Sequence, residues 1–123
     1  MNIKETGFIL FLEDYDKNVN FYTDKLGLRI RERKEGLTKL DFGSGYLMIE
    51  GNGVSSYTEK NRSQNPTVIR MEVDDFKETI NELENREISI EVYEFNWGTI
   101  GVIIDPEGNR IEIKNFQPDP IGF

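Results

Sequence analysis

The strongest constraint on the fold is an internal repeat. The segments FILFLEDYDKNVNFYTDKLGLRI and VIRMEVDDFKETINELENREISI each run from alternating apolar residues, through an acidic pair and apolar residues at helical spacing, to a second alternating run. Asp14 and Asp75 hold the same place in the two segments, 61 residues apart, and Glu50 and Glu112 lie 62 residues apart. Repetition at this spacing predicts two copies of one supersecondary unit.

Each half of the chain predicts a strand, a helix and three further strands. Asp14 and Asp16 are candidate caps of the first helix, and Asp74 or Asp75 of the second. Gly27 suits the left-handed position that ends a helix. The helical apolar positions are expected to be core, namely Val19, Tyr22, Leu26, Phe76, Ile80 and Leu83. The later strands are read as LRIRERK, LTKLDF and YLMIE in the first half and as ISIEVY, TIGVIID and RIEIKNF in the second.

This order of elements predicts an α+β fold. Two tandem βαβββ modules would form a curled mixed sheet around a cleft, with the helices outside. A chain of 123 residues is the size of one ordinary domain. We expect a single domain over residues 1–123, with module one at about 6–50, a connector at 51–66 and module two at about 67–116. A connector of this length is typically functional or mobile.

The alternation within the strands separates two faces of the predicted sheet. The helix-covered face should hold the apolar parity, namely Phe8, Leu10, Leu12, Leu47, Ile49, Ile69, Met71, Val73, Ile111 and Ile113. The opposite parity mixes apolar residues with charges of both signs, and consists of Gly7, Ile9, Phe11, Tyr46, Met48, Glu50, Val68, Arg70, Glu72, Arg110, Glu112 and Lys114. This mixture suits neither a sealed core nor a fully solvated face, so it indicates a half-open cleft. Glu112 would point into that cleft, paired across the repeat with Glu50.

Composition excludes several classes of function. Cysteine and histidine are both absent, which excludes disulfides, thiolate chemistry, Ser-His-Asp triads and histidine metal ligands. The net charge of −8 argues against nucleic-acid binding. No apolar run approaches the length of a membrane span, and the first residues lack the apolar core of a signal peptide. We therefore expect a cytoplasmic protein with neither a nucleic-acid nor a membrane partner.

Several segments resemble the vicinal oxygen chelate superfamily. They are FYTDKLGL, MEVDD and WGTIGVIIDPEGNRIEI, together with the two-module plan, and the resemblance covers about residues 6–116. This superfamily includes glyoxalase I, extradiol dioxygenases, fosfomycin-resistance enzymes and bleomycin-resistance proteins. Its most specific element here is the strand–DPEGN–strand unit that ends at Glu112.

The metal enzymes of that superfamily take their ligands from four strand positions. By resemblance these positions are Gly7, Glu50, Val68 and Glu112, and only the two glutamates can ligate. Two carboxylates are a poor ligand set for zinc, iron, nickel or cobalt, which leaves weakly held magnesium or manganese as the alternative cofactor. We expect no metal, and the two glutamates should instead bond Arg70, Arg110 or Lys114.

The metal-free branch of the superfamily gives the first hypothesis of function. Trp97-Gly98 matches a WG pattern before the seventh strand of bleomycin-resistance proteins, which are acidic dimers that sequester a cationic drug between subunits. The resemblance implies a metal-independent small-molecule binding protein for antibiotic resistance, and a homodimer. The C-terminal stretch FQPDPIGF has apolar residues but is too short to form an element, so we expect Phe116, Ile121 and Phe123 to pack on the partner. Trp97 would stack on a cationic or aromatic ligand, although the arginines leave an anionic or zwitterionic ligand open. The candidate ligand-binding residues are Phe11, Met48, Glu50, Tyr57, Arg70, Trp97, Arg110 and Glu112, with Tyr93 and Phe95 as added aromatic surface.

The second hypothesis is an enzyme. A glyoxalase-like lyase could use an oxygen-ligated divalent cation, or it could use a carboxylate as its base. Glu112 is the catalytic candidate in that case, with a pKa that the apolar cleft is expected to raise. The lack of both nitrogen-ligand positions favours the binding protein.

Overall fold

The computed structural model describes residues 1–118, which form eight strands and two helices. In chain order they are β1 (Gly7–Phe11), α1 (Tyr15–Asn20), β2 (Ile30–Lys34), β3 (Leu37–Phe42), β4 (Gly45–Glu50), β5 (Ile69–Val73), α2 (Phe76–Asn85), β6 (Glu91–Phe95), β7 (Gly98–Ile104) and β8 (Arg110–Asn115). A π-helical segment, Phe21–Lys25, extends α1. The α+β class and the two tandem βαβββ modules are thus confirmed.

The strands form two four-stranded sheets of identical order. The first sheet has the order β1-β4-β3-β2 and the second β5-β8-β7-β6. In each sheet the first strand of the module pairs in parallel with the last, and the remaining pairs are antiparallel. The same topology in both halves is what the 61-residue spacing between Asp14 and Asp75 predicts.

Backbone contacts divide the chain into two compact units that do not coincide with the two modules. The first unit comprises Met1–Thr58 together with Asp105–Gly108, and the second comprises Glu59–Ile104 and the chain from Asn109 onward. The turn between β7 and β8 therefore belongs to the first unit, although both strands that it joins belong to the second.

Both helices begin where the sequence predicts, whereas the predicted first helix is α-helical only to Asn20 and then π-helical. Asp14 caps α1 by accepting a hydrogen bond from the backbone N–H of Lys17 at 3.1 Å, and Asp75 caps α2 by accepting from Glu78 N at 3.0 Å. Of the alternative caps, Asp16 lies inside α1 and Asp74 precedes the cap of α2. Gly27 follows the π-helical segment with φ of 85°, a left-handed conformation that glycine adopts without strain.

The predicted alternation of buried and accessible residues holds best in the strands that lie inside each sheet. Leu47 and Ile49 of β4 and Ile111 and Ile113 of β8 are buried, while their neighbours are partly accessible. The predicted helical core positions are buried as well, apart from the half-buried Phe76. The expectation for Phe8 is wrong, since this residue is 48% exposed. It lies on β1, an edge strand with a neighbouring strand on one side only.

The DPEGN element is anchored in the first unit by two buried carboxylates. Glu107 accepts hydrogen bonds from the backbone N–H groups of Glu13 and Asp14 at 2.7 and 2.6 Å, at the start of α1. Asp105 accepts one from the Tyr22 hydroxyl at 2.7 Å. Gly108 has φ of 88°, and a side chain there would collide with the carbonyl oxygen of Thr58. The sequence indicated the turn but not this anchoring.

Two further expectations concerned membrane spans and the apolar residues near the C-terminus. Within residues 1–118, no helix is long and apolar enough to cross a membrane. Phe116 is exposed, whereas Ile121 and Phe123, which were expected to pack on a partner, lie outside the described residues.

Candidate functional site

A three-residue charge array lies on one face of the second sheet. Arg70 of β5 and Glu112 of β8 are partners in the parallel ladder, and Arg110 lies two residues before Glu112 on the same face. Arg70 Nε and Nη2 lie 3.1 and 2.9 Å from Glu112 Oε1, and Arg110 Nε lies 2.8 Å from Glu112 Oε2. Glu112 is therefore bonded to Arg70 and Arg110, as expected, with each carboxylate oxygen held by a different guanidinium.

The two arginines determine the ionisation of Glu112. Partial burial by itself would raise the pKa of this carboxyl, but the hydrogen bonds from Arg110 and Arg70 outweigh burial, and the pKa of Glu112 is lowered. The expectation of a raised pKa is therefore wrong, because the effect of burial is outweighed by the two guanidinium groups. A carboxylate that is held ionised and has both oxygens engaged is poorly suited to accept a proton from a substrate.

An aromatic pair adjoins this array. The rings of Phe95 and Trp97 are stacked, with centroids 5.1 Å apart and planes 3° from parallel. The Arg70 guanidinium carbon lies 5.6 Å from the Trp97 ring centroid, within cation–π range. Trp97 is 53% exposed, as its loop-like neighbours predict. The ring thus already contacts a cation of the protein itself, which reduces the case for a cationic ligand at this residue.

A cavity of about 400 Å³ opens beside Trp97. We call it the lysine cavity, because two lysines line it. It lies between the start of α2, the start of β7 and the end of β8. Its lining consists of Asp75, Phe76, Lys77, Trp97, Gly98, Thr99, Lys114, Asn115 and Gln117, all of which belong to the second unit. Small-ligand pockets typically measure roughly 300–1,000 Å³.

The first unit contains the other candidate residues. Phe11 and Glu50 are partners in the β1–β4 ladder, and Met48 shares the face of Glu50 on β4. Within the described part of the first unit the Glu50 carboxylate has no hydrogen bond or ion pair, and its expected bond to Arg70, Arg110 or Lys114, which belong to the second unit, stays a prediction. Tyr57 is fully exposed. Of the predicted ligand-binding residues, the structure brings Arg70, Trp97, Arg110 and Glu112 into one contiguous group.

The surroundings of Gly7, the first of the four positions matched to metal-ligand positions, leave no room for a ligating side chain. The ring of Tyr46 lies over Gly7, where even a methyl side chain would overlap it. Lys39 Nζ lies 4.1 Å from the centroid of that ring, and Arg31 is 5.9 Å from it. An aromatic ring flanked by two cations therefore occupies the space that a ligating side chain would need.

The remaining residues also fit a metal poorly. Val68 offers no donor atom, and the Glu112 oxygens already accept from guanidinium groups. In the described part of the chain no three carboxylates are grouped as metal ligands, and the sequence contains no histidine or cysteine. Neither unit on its own presents a complete ligand set for a divalent cation.

Several residues of the lysine cavity and of the β7–β8 turn were not predicted. Lys77, Thr99 and Asn115 meet only because the start of α2 packs beside the sheet end, and no spacing in the sequence indicates that contact. Lys114 was assigned to the polar parity of β8 but not to a ligand site. Glu107 could have been suspected, because the DPEGN element carries an acidic residue that a turn does not require.

Solved structures with the same fold come from several bacteria. A putative glyoxalase family protein from Bacillus anthracis matches with a TM-score of 0.74 at 15% identity, over 95% of this chain and 98% of the other. A glyoxalase/bleomycin resistance protein/dioxygenase from Alicyclobacillus acidocaldarius matches with a TM-score of 0.72 at 21% identity, over 97% and 96%. The bleomycin-binding protein of Streptomyces verticillus, complexed with copper(II)-bleomycin, matches with a TM-score of 0.69 at 20% identity, over 95% and 99%. At these identities the likeness shows the fold alone.

Sequence comparison assigns the family. No curated protein sequence matches this chain significantly. The profile of the Glyoxalase/Bleomycin resistance protein/Dioxygenase superfamily, however, matches residues 5–113. That range runs from just before β1 into β8, so it includes both βαβββ modules. On this match, which covers most of its length, the chain belongs to the Glyoxalase/Bleomycin resistance protein/Dioxygenase superfamily.

Proposed function

We propose that this protein binds and sequesters a small aromatic molecule without a metal, using the face of the second sheet that carries Trp97. The observation that carries the proposal is the half-exposed Phe95–Trp97 stack next to the Arg70–Glu112 pair. An exposed indole beside polar groups in fixed positions combines apolar contact area with directional hydrogen bonding. An aromatic antibiotic is one ligand of this kind, and the fold shared with a bleomycin-binding protein supports that role.

Independence from metal is part of the proposal. It is supported by the Tyr46 ring over Gly7 and by the two guanidinium groups on Glu112. The array also argues against Glu112 as a catalytic base, because the pKa of this carboxyl is lowered rather than raised.

Nuclear magnetic resonance can test binding at Trp97 directly. Trp97 is the only tryptophan, so its indole N–H gives a single isolated cross-peak in a ¹H–¹⁵N spectrum. A panel of small aromatic compounds is screened in excess EDTA, and at least one should shift that peak saturably. Trp97→Ala should weaken the binding of that compound, measured by calorimetry, by about 1–3 kcal/mol. Phe21→Ala is the matched aromatic control outside the group. If binders are found only when magnesium or manganese is added, metal independence is refuted.

We further propose that the protein is a homodimer. The support is an apolar edge in each unit, since Phe8, Ile9 and Phe11 on β1 and Val92, Tyr93 and Phe95 on β6 are all exposed. Exposed edge strands are usually covered, and a second copy would cover them. Sedimentation that gives only a species of 14.3 kDa at micromolar concentration refutes the dimer.

A cytoplasmic location completes the proposal. It is supported by the cysteine-free sequence, which needs no oxidising compartment. Fractionation of cells expressing the untagged protein tests it, and recovery outside the cytoplasmic fraction refutes it.

A further inference from the structure

We propose that the lysine cavity binds the anionic group of a planar organic ligand, so that the ligand class is a small aromatic carboxylate. This inference rests on the proposed function in one respect, namely that Trp97 contacts the ligand. The remaining support comes from residues outside the Arg70–Glu112–Arg110 array.

Two lysines supply positive charge to the cavity. Within residues 1–118, the ammonium group of Lys77 has no hydrogen bond or ion pair. That of Lys114 has one weak hydrogen bond, to the carbonyl oxygen of Asn115 at 3.5 Å. The aliphatic part of Lys114 passes over Gly98, where an added side chain would touch its Cε atom at 4.0 Å. In a chain of net charge −8, two lysines without acidic partners beside one cavity leave a local positive charge available to a ligand.

The acidic groups near the cavity either bond other groups or form no ion pair with the two lysines. The carboxylate of Asp75 accepts from the backbone N–H of Glu78 as the cap of α2. Glu72 is the ladder partner of Lys114 across β5 and β8, yet no ion pair joins their side chains among the described residues. Glu112, also on the face of Lys114, is neutralised by Arg70 and Arg110.

The rest of the lining suits a planar carboxylate. Phe76, Gly98 and Trp97 provide apolar surface, while Thr99 offers a hydroxyl donor beside the lysines. Asn115 is held in place, because its Oδ1 accepts from Phe76 N at 3.0 Å and its Nδ2 donates to the Phe116 carbonyl at 3.3 Å. A cationic ligand would meet two ammonium groups here and would also compete with Arg70 for the Trp97 ring.

Three probes that differ only in charge test the inference. Benzoate, benzamide and benzamidine share one ring and carry a negative, a zero and a positive charge. Each is titrated into the full-length protein at low salt, with the Trp97 indole cross-peak and calorimetry as readouts. Benzoate should bind most tightly and benzamidine most weakly.

Lys77→Gln and Lys114→Gln should each raise the Kd for benzoate by about two- to fivefold, and the double variant by about tenfold. Lys4→Gln removes the same charge from the first unit and should leave this Kd unchanged.

The outcomes separate this inference from the proposed function. If benzamide or benzamidine shifts the Trp97 peak at least as well as benzoate, the anion preference is refuted while binding at Trp97 stands. If benzoate binding depends on Lys77 and Lys114 but Trp97→Ala leaves it unchanged, the anion site stands and the role of Trp97 is refuted. Benzoate binding that both lysine variants leave unchanged overturns the inference, as does the failure of all three probes to bind.

Discussion

Asn18 Nδ2 donates a hydrogen bond to Glu107 Oε2 at 3.0 Å, across 89 residues of sequence. Both side chains are buried, at 0% and 2% exposure. The same carboxylate accepts the backbone N–H groups of Glu13 and Asp14. The β7–β8 turn thereby satisfies donors at the start of α1 that would otherwise be left unpaired away from water.

Replacing Glu107 should therefore destabilise the protein. Glu107→Gln retains the shape of the side chain but loses the charge and places an amide group among three donors. We expect the free energy of unfolding to fall by about 2–4 kcal/mol, measured by urea denaturation at pH 7. Glu84→Gln on the exposed side of α2 is the control and should change it by less than about 0.5 kcal/mol. Equal effects of the two substitutions would show that Glu107 is not a structural cap.

Tyr22 should govern part of the alkaline stability. Burial first, and then the nearby carboxylate of Asp105, raise the pKa of Tyr22 well above its usual range. The pKa of Tyr22 is higher in the folded protein than in the unfolded protein. The contribution of the protonated Tyr22 to stability is therefore complete below about pH 10 and is lost as the pH rises further. Tyr22→Phe should cost about 1–2 kcal/mol at pH 7, through loss of the hydrogen bond to Asp105.

The pH dependence distinguishes this role of Tyr22 from simple packing. The unfolding free energies of the wild-type protein and Tyr22→Phe should converge above about pH 10, where unfolded wild-type protein ionises Tyr22. The remaining tyrosines are common to both proteins and cancel in the difference. A difference that stays constant from pH 7 to pH 11 would contradict the assignment.

Arg70 should contribute, beside Arg110, to the lowered pKa of Glu112 and should also affect the environment of Trp97. Arg70→Gln removes one of the two cations, so the lowered pKa of Glu112 should rise toward its usual range, measured by carboxyl ¹³C titration. Because the pKa of Glu112 is lower in the folded protein, its ionised carboxylate stabilises the fold at pH values above its unfolded pKa of about 4.3. This stabilisation is lost as the pH falls through the folded pKa. The variant should therefore lose stability relative to wild type at neutral pH but not at strongly acidic pH.

Trp97 fluorescence provides the second readout for Arg70→Gln. The emission should change because the guanidinium no longer lies 5.6 Å from the ring centroid. Arg29→Gln, which removes an exposed arginine paired with Asp41 in the first unit, should alter neither the Glu112 titration nor the emission. An unchanged Glu112 pKa in Arg70→Gln would mean that Arg110 alone holds the carboxylate.

Gly7 and Tyr46 should be energetically coupled. Gly7→Ala places a methyl group in the space of the Tyr46 ring and should cost about 1 kcal/mol as the ring is displaced from Gly7. In a Tyr46→Ala background the same substitution should cost nearly nothing, which gives a coupling of about 1 kcal/mol in a double-mutant cycle. Additive effects in urea denaturation would show that the ring leaves Gly7 without loss.

Local sequence patterns were enough to predict the modules and their elements. Caps, apolar stripes and alternating strands depend on neighbouring residues, so Asp14, Asp75, Leu47 and Ile113 were predictable from local spacing. The place of Glu112 on an accessible strand face followed from the same alternation. The lowered pKa of Glu112 did not, because it is the balance between burial and the hydrogen bonds from Arg110 and Arg70, and Arg70 comes from another strand at a distance set by sheet pairing.

Contacts between these residues depend on how strands pair and helices pack in three dimensions. Local periodicity carries no information on contacts between distant segments, so the Glu107 cap on α1, the Arg70 guanidinium near Trp97 and the Tyr46 ring over Gly7 could not be read from spacing. The lysine cavity depends on the same kind of contact, since Lys77 and Lys114 line one cavity only where the start of α2 packs beside the end of β8. Burial and hydrogen bonding act over distances in space, whereas a sequence pattern indicates only the geometry of one element at a time.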